Sequence, residues 1–325
     1  MGDAIRLLRL GSLDPIETQA VYHAVAQHMD EAAPDTIILT APTSPCLCLG
    51  FHQIADEVLD RQAARSLGIP VLRRRVGGGL TYLDADQIFY QFVFHHTRVP
   101  VVPAKLYASL LRAPVMALRR LGLDASLESE NEIEVGGRRI AGVGAARIGE
   151  ASVVVGNVLA EFAYRTMAKV WKVPSESFRS LAAEALNERV TTLRRENVHV
   201  ELGAVQDELE RALRETFERP LIEGELRPEE RTTLRATVDS LTSPSFLDLH
   251  ADDRRAERGP LKISARAFVH AISEGRMRGA LLVDDRRILG ARLESDRPRD
   301  WSAVEAGLVG SAVSDWRRVI RELGG

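Results

Sequence analysis

The reading turns on Arg73-Arg74-Arg75-Val76-Gly77-Gly78-Gly79-Leu80-Thr81-Tyr82-Leu83-Asp84, which follows the apolar run Ile69-Pro70-Val71-Leu72. Three consecutive glycines let the backbone turn tightly with no Cβ in the way, so main-chain N–H groups can close on a ligand, and the arginines add fixed positive charge. The combination suits a phosphate or an acyl-phosphate. A glycine run on its own fits a plain turn equally well. On extended chain, alternation sets Arg74 opposite Arg73 and Arg75, so the three cannot share one site.

Three more segments stand out: Pro45-Cys46-Leu47-Cys48-Leu49-Gly50-Phe51-His52-Gln53, then Asn131-Glu132-Ile133-Glu134-Val135-Gly136-Gly137-Arg138-Arg139-Ile140-Ala141-Gly142, then Arg189-Val190-Thr191-Thr192-Leu193. With the glycine stretch, and in this order, they resemble the lipoate-protein ligase family, covering roughly residues 35–195. The family's signature reads Arg-Arg-x-Ser-Gly-Gly-Gly-Ala-Val-(aromatic)-His-Asp, and its later segments Asn-Asp-(apolar)-x-(apolar)-x-Gly-x-Lys-Ile-(Ala/Ser)-Gly and Arg-Val-Thr-Asn-Leu. Arg73 and Arg74 fall on the arginine pair, Gly77, Gly78 and Gly79 on the glycines, Tyr82 on the aromatic and Asp84 on the aspartate.

The resemblance implies a biotin/lipoate ligase-like α+β fold: a mixed β-sheet flanked by helices, with a small α+β accessory domain at the C-terminal end. It also implies a chemistry. Lipoate or octanoate is activated with ATP and Mg as an acyl-adenylate, and the acyl group passes to a lysine of a lipoyl carrier domain, of the 2-oxoacid dehydrogenase or glycine-cleavage H type. The implied substrate- and nucleotide-binding positions are Arg74, Gly77, Gly78, Gly79, Tyr82, Asp84, Gln87, Asn131, Ile140, Gly142 and Gly156. Asp84 reads equally as an acceptor that orients the loop, and Gly142-Val143-Gly144-Ala145 as close sheet packing.

The departures bear on activity. Arg139 stands where the family has its lysine, and arginine cannot place a compact ammonium between a carboxylate and a phosphate. Val76 replaces serine, Leu83 histidine and Gln87 asparagine, and Val155-Gly156-Asn157 stands for His-Gly-(Thr/Ser). Only four lysines occur (Lys105, Lys169, Lys172, Lys262) among 43 basic residues, so a bias toward arginine is the bland alternative. Two functions follow: an acyl-protein ligase with Arg139 in the catalytic position, or a catalytically impaired protein that binds acyl groups or lipoyl domains. Octanoyltransferases of this fold use a thiol, and no cysteine lies where theirs do. Cys46 and Cys48 read as small core residues, their spacing poor for a disulfide and their number too small for a metal site, and no metal ligands are assigned from the sequence. His52 reads as a pocket edge or a surface loop.

At 325 residues, 27% charged and with a net charge of −3, the chain lacks the basic excess of a nucleic-acid binder. No apolar run reaches the roughly eighteen residues of a membrane span, and Met1-Gly2-Asp3-Ala4-Ile5-Arg6 is no secretory leader, which reads as a cytoplasmic protein without a membrane partner. Periodicity predicts helices over Pro15–Met29 with Asp14 as N-cap, over Glu57–Leu67, and over Ala104–Leu121 with a kink or interruption at Pro114. Gln87–Phe94 and Ala151–Leu159 read as buried strands and Glu132–Gly142 as a hairpin turning at Gly136-Gly137. The expected organisation is a catalytic domain over 1–225, a polar linker over 226–260 and an accessory domain over 261–325.

Overall fold

The structure is a computed structural model that describes residues 4–129, 131–252 and 259–324. Its strands are β1 (Ile5–Leu13), β2 (Thr36–Pro42), β3 (Cys46–Leu49), β4 (Val71–Arg73), β5 (Thr81–Leu83), β6 (Gln87–His95), β7 (Ala125–Ser129), β8 (Glu132–Val135), β9 (Arg138–Ile148), β10 (Ala151–Leu159), β11 (Leu221–Glu223), β12 (Leu261–Lys262), β13 (Ala267–Glu274), β14 (Met277–Asp284) and β15 (Arg287–Ser295). The chain divides into two compact units. One holds Met1–Ala55, Ala64–Phe162 and Thr191–Ala251, the other Asp56–Ala63, Ala163–Val190 and Asp252–Gly325.

The first unit is built on an eight-stranded sheet in the order β11-β1-β2-β6-β10-β9-β8-β7. Pairing is parallel for β1 with β11 and β2, and antiparallel for the rest, so the sheet is mixed as expected. Apolar residues line both faces, which is why β6 reads as the nearly unbroken apolar run Ile88-Phe89-Tyr90-Gln91-Phe92-Val93-Phe94. Ile88, Tyr90, Phe92 and Phe94 pack with Leu118, Leu209 and Leu213 from helices on one face. Phe89 and Val93 pack on the other with Val21 and Val25 of the helix Pro15–Gln27 and with Cys48, Leu72 and Leu83 of a second, three-stranded sheet, β4-β3-β5.

Local expectations hold where short-range chemistry decides. Asp14 caps the first helix, its carboxylate accepting from the Ile16 amide at 2.9 Å. Gly136 and Gly137 turn the β8–β9 hairpin at φ +56° and +73°, the left-handed pair of a type I′ turn. The helix expected over Ala104–Leu121 is interrupted as Pro114 implied, into Pro103–Leu110 and Arg112–Arg120, because Pro114 has no N–H for the Leu110 carbonyl. Other bounds shift. The helix expected over Glu57–Leu67 is two short turns, Ala55–Val58 and Arg61–Ser66, with Asp60 capping the Ala63 amide at 2.9 Å.

The segment expected as a linker, 226–260, instead carries the helices Pro228–Thr242 and Pro244–Leu247. The first lies on Pro15–Gln27 with Leu241 buried, and its fully buried Glu230 takes Arg6 at 2.6 Å and Arg227 at 2.9 Å. Burial alone would raise the Glu230 carboxyl, but bonds from Arg6 and Arg227 bring it below the ordinary carboxylate value. A polar surface pattern concealed an anchored helix.

The second unit is a four-stranded antiparallel sheet, β12-β13-β14-β15, with helices Ser302–Leu308 and Trp316–Gly324 closing over Leu281, Ile288 and Leu293. It also includes the helix Glu176–Arg189, expected in the catalytic domain, which is fastened to this sheet by Ser177–Glu294 at 2.6 Å, Arg292–Glu184 at 2.7 Å and Arg189–Asp284 at 3.2 Å. Among the described residues no helix is long and apolar enough to cross a membrane.

The β14–β15 turn places two non-glycine residues at positive φ, Asp285 at 45° and Arg286 at 74°. Left-handed backbone strains a residue with a Cβ, so Arg286→Gly is expected to stabilise this unit by about 0.5–1 kcal/mol, read as a higher unfolding midpoint. A lower midpoint would show that the Arg286 side chain holds the turn.

Candidate active site

The glycine stretch leaves β4, turns, and returns into β5 on either side of β3. Its position is set by arginines that point inward. Arg73 is fully buried, and its guanidinium donates to the carbonyls of Gly50 (3.0 Å), Phe51 (2.9 Å), Gln53 (2.7 Å), Phe246 (2.7 Å) and Leu247. Arg74 lies on the opposite side, as alternation requires, but it does not face an open ligand space. It donates to the carbonyls of Gly77 and Gly79, both at 2.9 Å, and of Cys48 at 3.0 Å. Its donors are committed to the loop. Arg75 is exposed, and its backbone N–H donates to His23 Nε2 at 3.0 Å.

Close approach fixes the loop on both sides. A Cβ on Gly50 would fall 1.9 Å from the Gly78 carbonyl oxygen, and one on Gly144 of β9 would fall 2.7 Å from Val76 and 3.2 Å from the Gly77 carbonyl. Gly78 sits at φ +100° with Arg74 2.8 Å from where its Cβ would be, while a Cβ on Gly77 or Gly79 would meet nothing within 4 Å. The loop thus has one seated glycine and two open ones.

Arg139 reaches this face through a bulge. Ile133 pairs with Ala141 but Glu134 with Arg139, leaving Ile140 as the extra residue. Strict alternation would set Arg139 with Ala141 and Val143, which pack into the helix-covered face. Instead its Cδ lies 3.9 Å from where a Gly142 Cβ would stand, on the side of Gly142 and Gly144. The guanidinium is 23% exposed and pairs with Glu132 at 3.4 Å. Arg139 and the glycine loop accordingly flank one stretch of β9.

The remaining expected positions divide. Tyr82 is buried with its ring edge-on to Phe162 at 6.3 Å, and burial pushes its phenol up to about 12. Asp84 is half-buried, its carboxyl raised to about 6 chiefly by burial, and it accepts from the Asp86 amide and the Gln87 amide group, each at 3.2 Å. Gln87 is fully buried in a closed chain: it donates to the Tyr82 carbonyl at 3.1 Å and accepts from Asn157 at 2.7 Å. Asn131 fastens β9 by donating to the Val143 carbonyl at 3.1 Å. Ile140 is wholly buried in the helix-side core, and Gly156 turns the same way, where a Cβ would strike the Tyr90 hydroxyl at 2.4 Å and its ring at 2.5 Å. Gln87, Ile140 and Gly156 therefore lie within the frame of the site.

The three apolar departures converge. Val76, Leu83 and Val155, which stand where the resembling family has serine, histidine and histidine, share one buried cluster with Cys46, Cys48 and Leu72. Both cysteines are fully buried, and burial raises both thiols. Beneath the loop His23 is sealed in: Nδ1 meets the Gln19 carbonyl at 2.6 Å, Nε2 accepts from Arg75, and burial lowers the imidazole to about 3. Neither His23 nor the bulge left a signal in the sequence. The adjacent His95-His96 pair did, and the fold sets Glu150 beside it.

The model of the lipoyl protein ligase A/B catalytic domain matches residues 14–214. The chain belongs to that family. The lipoyl ligase assignment agrees with individual relatives. Over 201 residues the chain is 26% identical to lipoate-protein ligase A subunit 1 of Thermoplasma acidophilum, covering 59% of this chain and 76% of that one. Over 253 residues it is 24% identical to the octanoyltransferase LipM of Moorella thermoacetica, covering 71% and 92%. Among solved structures, a bi-partite lipoate protein ligase from Thermoplasma acidophilum, described with its E2 lipoyl domain, superposes at a TM-score of 0.69 with 23% identity over 79% of this chain and 99% of that one. A lipoate-protein ligase A bound with ATP superposes at 0.64 with 22% identity, over 77% and 100%. These two likenesses establish the lipoyl ligase fold.

Two outcomes are expected of this geometry. Gly77→Ala and Gly79→Ala should leave stability within about 0.5 kcal/mol yet weaken octanoate binding measured by calorimetry, while Gly78→Ala should cost about 1–2 kcal/mol through its left-handed backbone. Unaltered octanoate affinity in the first two would show that the open edge is not the ligand seat. His23 sets a pH dependence. Neutral in the fold down to about pH 3 but titrating near 6.5 once unfolded, it contributes stability that is full above pH 6.5 and is lost as pH falls toward 3, by about 1.4 kcal/mol per unit. Denaturant unfolding of His23→Gln between pH 4 and 8 should show a flatter slope than the wild type, and an equal slope would remove His23 as the cause.

Proposed function

We propose that the protein binds a C8 acyl acid, lipoate or octanoate, at the glycine loop and attaches it to a lysine of a lipoyl carrier domain through an acyl-adenylate. The observation that carries this reading is the bulge-directed placement of Arg139 on the face of β9 against which Val76 and Gly77 are seated, with Gly142 and Gly144 between them. An anion at that stretch would meet a fixed guanidinium and the open backbone of Gly77 and Gly79. The small glycine surface of β9 and the apolar cluster of Val76 and Val155 suit an alkyl chain.

ATP with Mg fits the same reading, since the open glycines and Arg139 are donors of the kind phosphate oxygens require. The chemistry it would supply is activation of the carboxylate as a mixed anhydride, with pyrophosphate leaving; the amine of the carrier lysine would then take the acyl group, and AMP would leave. Arg139 would stabilise charge on the oxygens, and the apolar wall would exclude water that hydrolyses the anhydride. The carrier is proposed as a lipoyl domain, the class with which the Thermoplasma acidophilum ligase is described.

A thiol-dependent octanoyl transfer, the alternative that the LipM relative brings, meets an obstacle. The chain's two cysteines are both buried on β3, in the apolar cluster. A second reading, an acyl- or lipoyl-domain-binding protein without ligase activity, is favoured by the loss of polar groups at Val76, Leu83 and Val155.

ATP–pyrophosphate exchange with octanoate separates the two. In a working ligase Arg139→Ala should lower exchange by roughly a hundred-fold or more, and Arg139→Lys should keep or raise it. No wild-type exchange alongside measurable octanoate binding would establish the second reading, and a robust rate surviving Arg139→Ala would remove both.

A further inference from the structure

We propose that His95, His96 and Glu150 form a transition-metal site of the His-His-carboxylate type, suited to zinc, at the end of β9 remote from Arg139. One ligand atom from each of the three lies within 4.8 Å of the others. Glu150 Oε2 is 3.2 Å from His96 Nδ1 and 4.0 Å from His95 Nε2. Ligand atoms at zinc bond lengths of about 2.0–2.2 Å stand about 3.3–3.5 Å apart around a tetrahedral ion, so side-chain rotation that takes His96 Nδ1 off the Glu150 carbonyl, now at 3.1 Å, would close the shell. The fourth position is left to water.

The scaffold holds these groups before any ion arrives. In the β6–β10 pairing His95 stands opposite Ala151, the residue after Glu150, and the His96 amide donates to the Glu150 carbonyl at 2.9 Å. Gly149, at φ +56°, turns the β9–β10 hairpin so that Glu150 faces the histidines. The His95 amide donates to the buried Asp35 carboxylate at 2.8 Å. Its ring Nδ1 lies 2.8 Å from Thr97 Oγ1 and 3.4 Å from the Thr97 amide, contacts that orient the ring with Nε2 toward Glu150. Two imidazoles and one carboxylate suit zinc among the divalent ions, in ligand type and in charge. Arg147 lies 3.5 Å from Glu150 Oε2, but its side chain is 56% exposed and swings into solvent at little cost.

The test uses the full chain freed of metal by chelation. Titrated with Zn(II) alone in a calorimeter, it should bind one equivalent, and Co(II) should give the strong visible absorption of four-coordinate cobalt. His96→Ala and Glu150→Gln each alter a partly exposed side chain, and each should weaken zinc binding at least tenfold with the metal-free melting curve unchanged. His199→Ala, outside the cluster, should bind as the wild type does. Should His96→Ala not fold, His96→Gln serves in its place. Absence of saturable zinc binding, a loss below tenfold in either cluster variant, or an equal loss in His199→Ala would overturn the site.

Discussion

The fully buried guanidinium of Arg73 is the interaction on which the glycine loop depends. A cation taken out of water is costly unless its donors are met, and here five carbonyl oxygens meet them, three from the Gly50–Gln53 turn and two from Phe246 and Leu247. These acceptors come from segments far apart in sequence, so the ion does what a short apolar side chain could not: it joins the turn after β3 to the helix Pro244–Leu247. Arg74 then repeats the arrangement one residue on, drawing the carbonyls of Gly77 and Gly79 together. With those oxygens turned inward, the loop's shape is set from beneath and its outer edge stays open at Gly77 and Gly79.

The apolar cluster beside the loop is a consequence of that same packing. Val76 is wedged against Gly144, and Leu83 and Val155 enter the cluster from β5 and β10. Replacing polar groups at one of these positions alone would leave its former partners unsatisfied, at a cost of about 1–3 kcal/mol each. Exchanged together they close without such a penalty. The result is a drier wall than the family signature describes, and a drier wall strengthens every charge interaction that remains near it.

Much of the fold was legible because short-range rules decide it. Asp14 before Pro15, the Gly136-Gly137 pair and the apolar run of β6 each carry their structure in adjacent residues, and the ordered motifs carried the family. The site was less legible. Arginines beside glycines suggest ligand contacts, yet only the three-dimensional placement of carbonyls shows that Arg73 and Arg74 are spent on the backbone. A bulge at Ile140 changes the face of Arg139 without any local mark, since Arg138-Arg139-Ile140-Ala141 fits a regular strand as well. Residues 226–260 looked like a linker because the helix Pro228–Thr242 buries few side chains and anchors through ion pairs. The attachment of Glu176–Arg189 to the C-terminal sheet rests on contacts 95 to 117 residues apart, such as Arg292 with Glu184.

Arg139 gains a particular character from its neighbour. Glu132, only 3% exposed, lies 3.4 Å from the guanidinium, and its carboxylate offsets the charge that an incoming anion would feel. An ammonium would have one compact charge to divide between that carboxylate and a ligand. The guanidinium spreads five donors over a plane, so one edge can stay with Glu132 while the other turns to a carboxylate or phosphate oxygen. In the proposed site, arginine at this position would keep anion binding while reducing the focused field a developing oxyanion needs. On the proposed reading, the residue that preserves recognition is also the one that would limit rate, and the position of Glu132 would set how far.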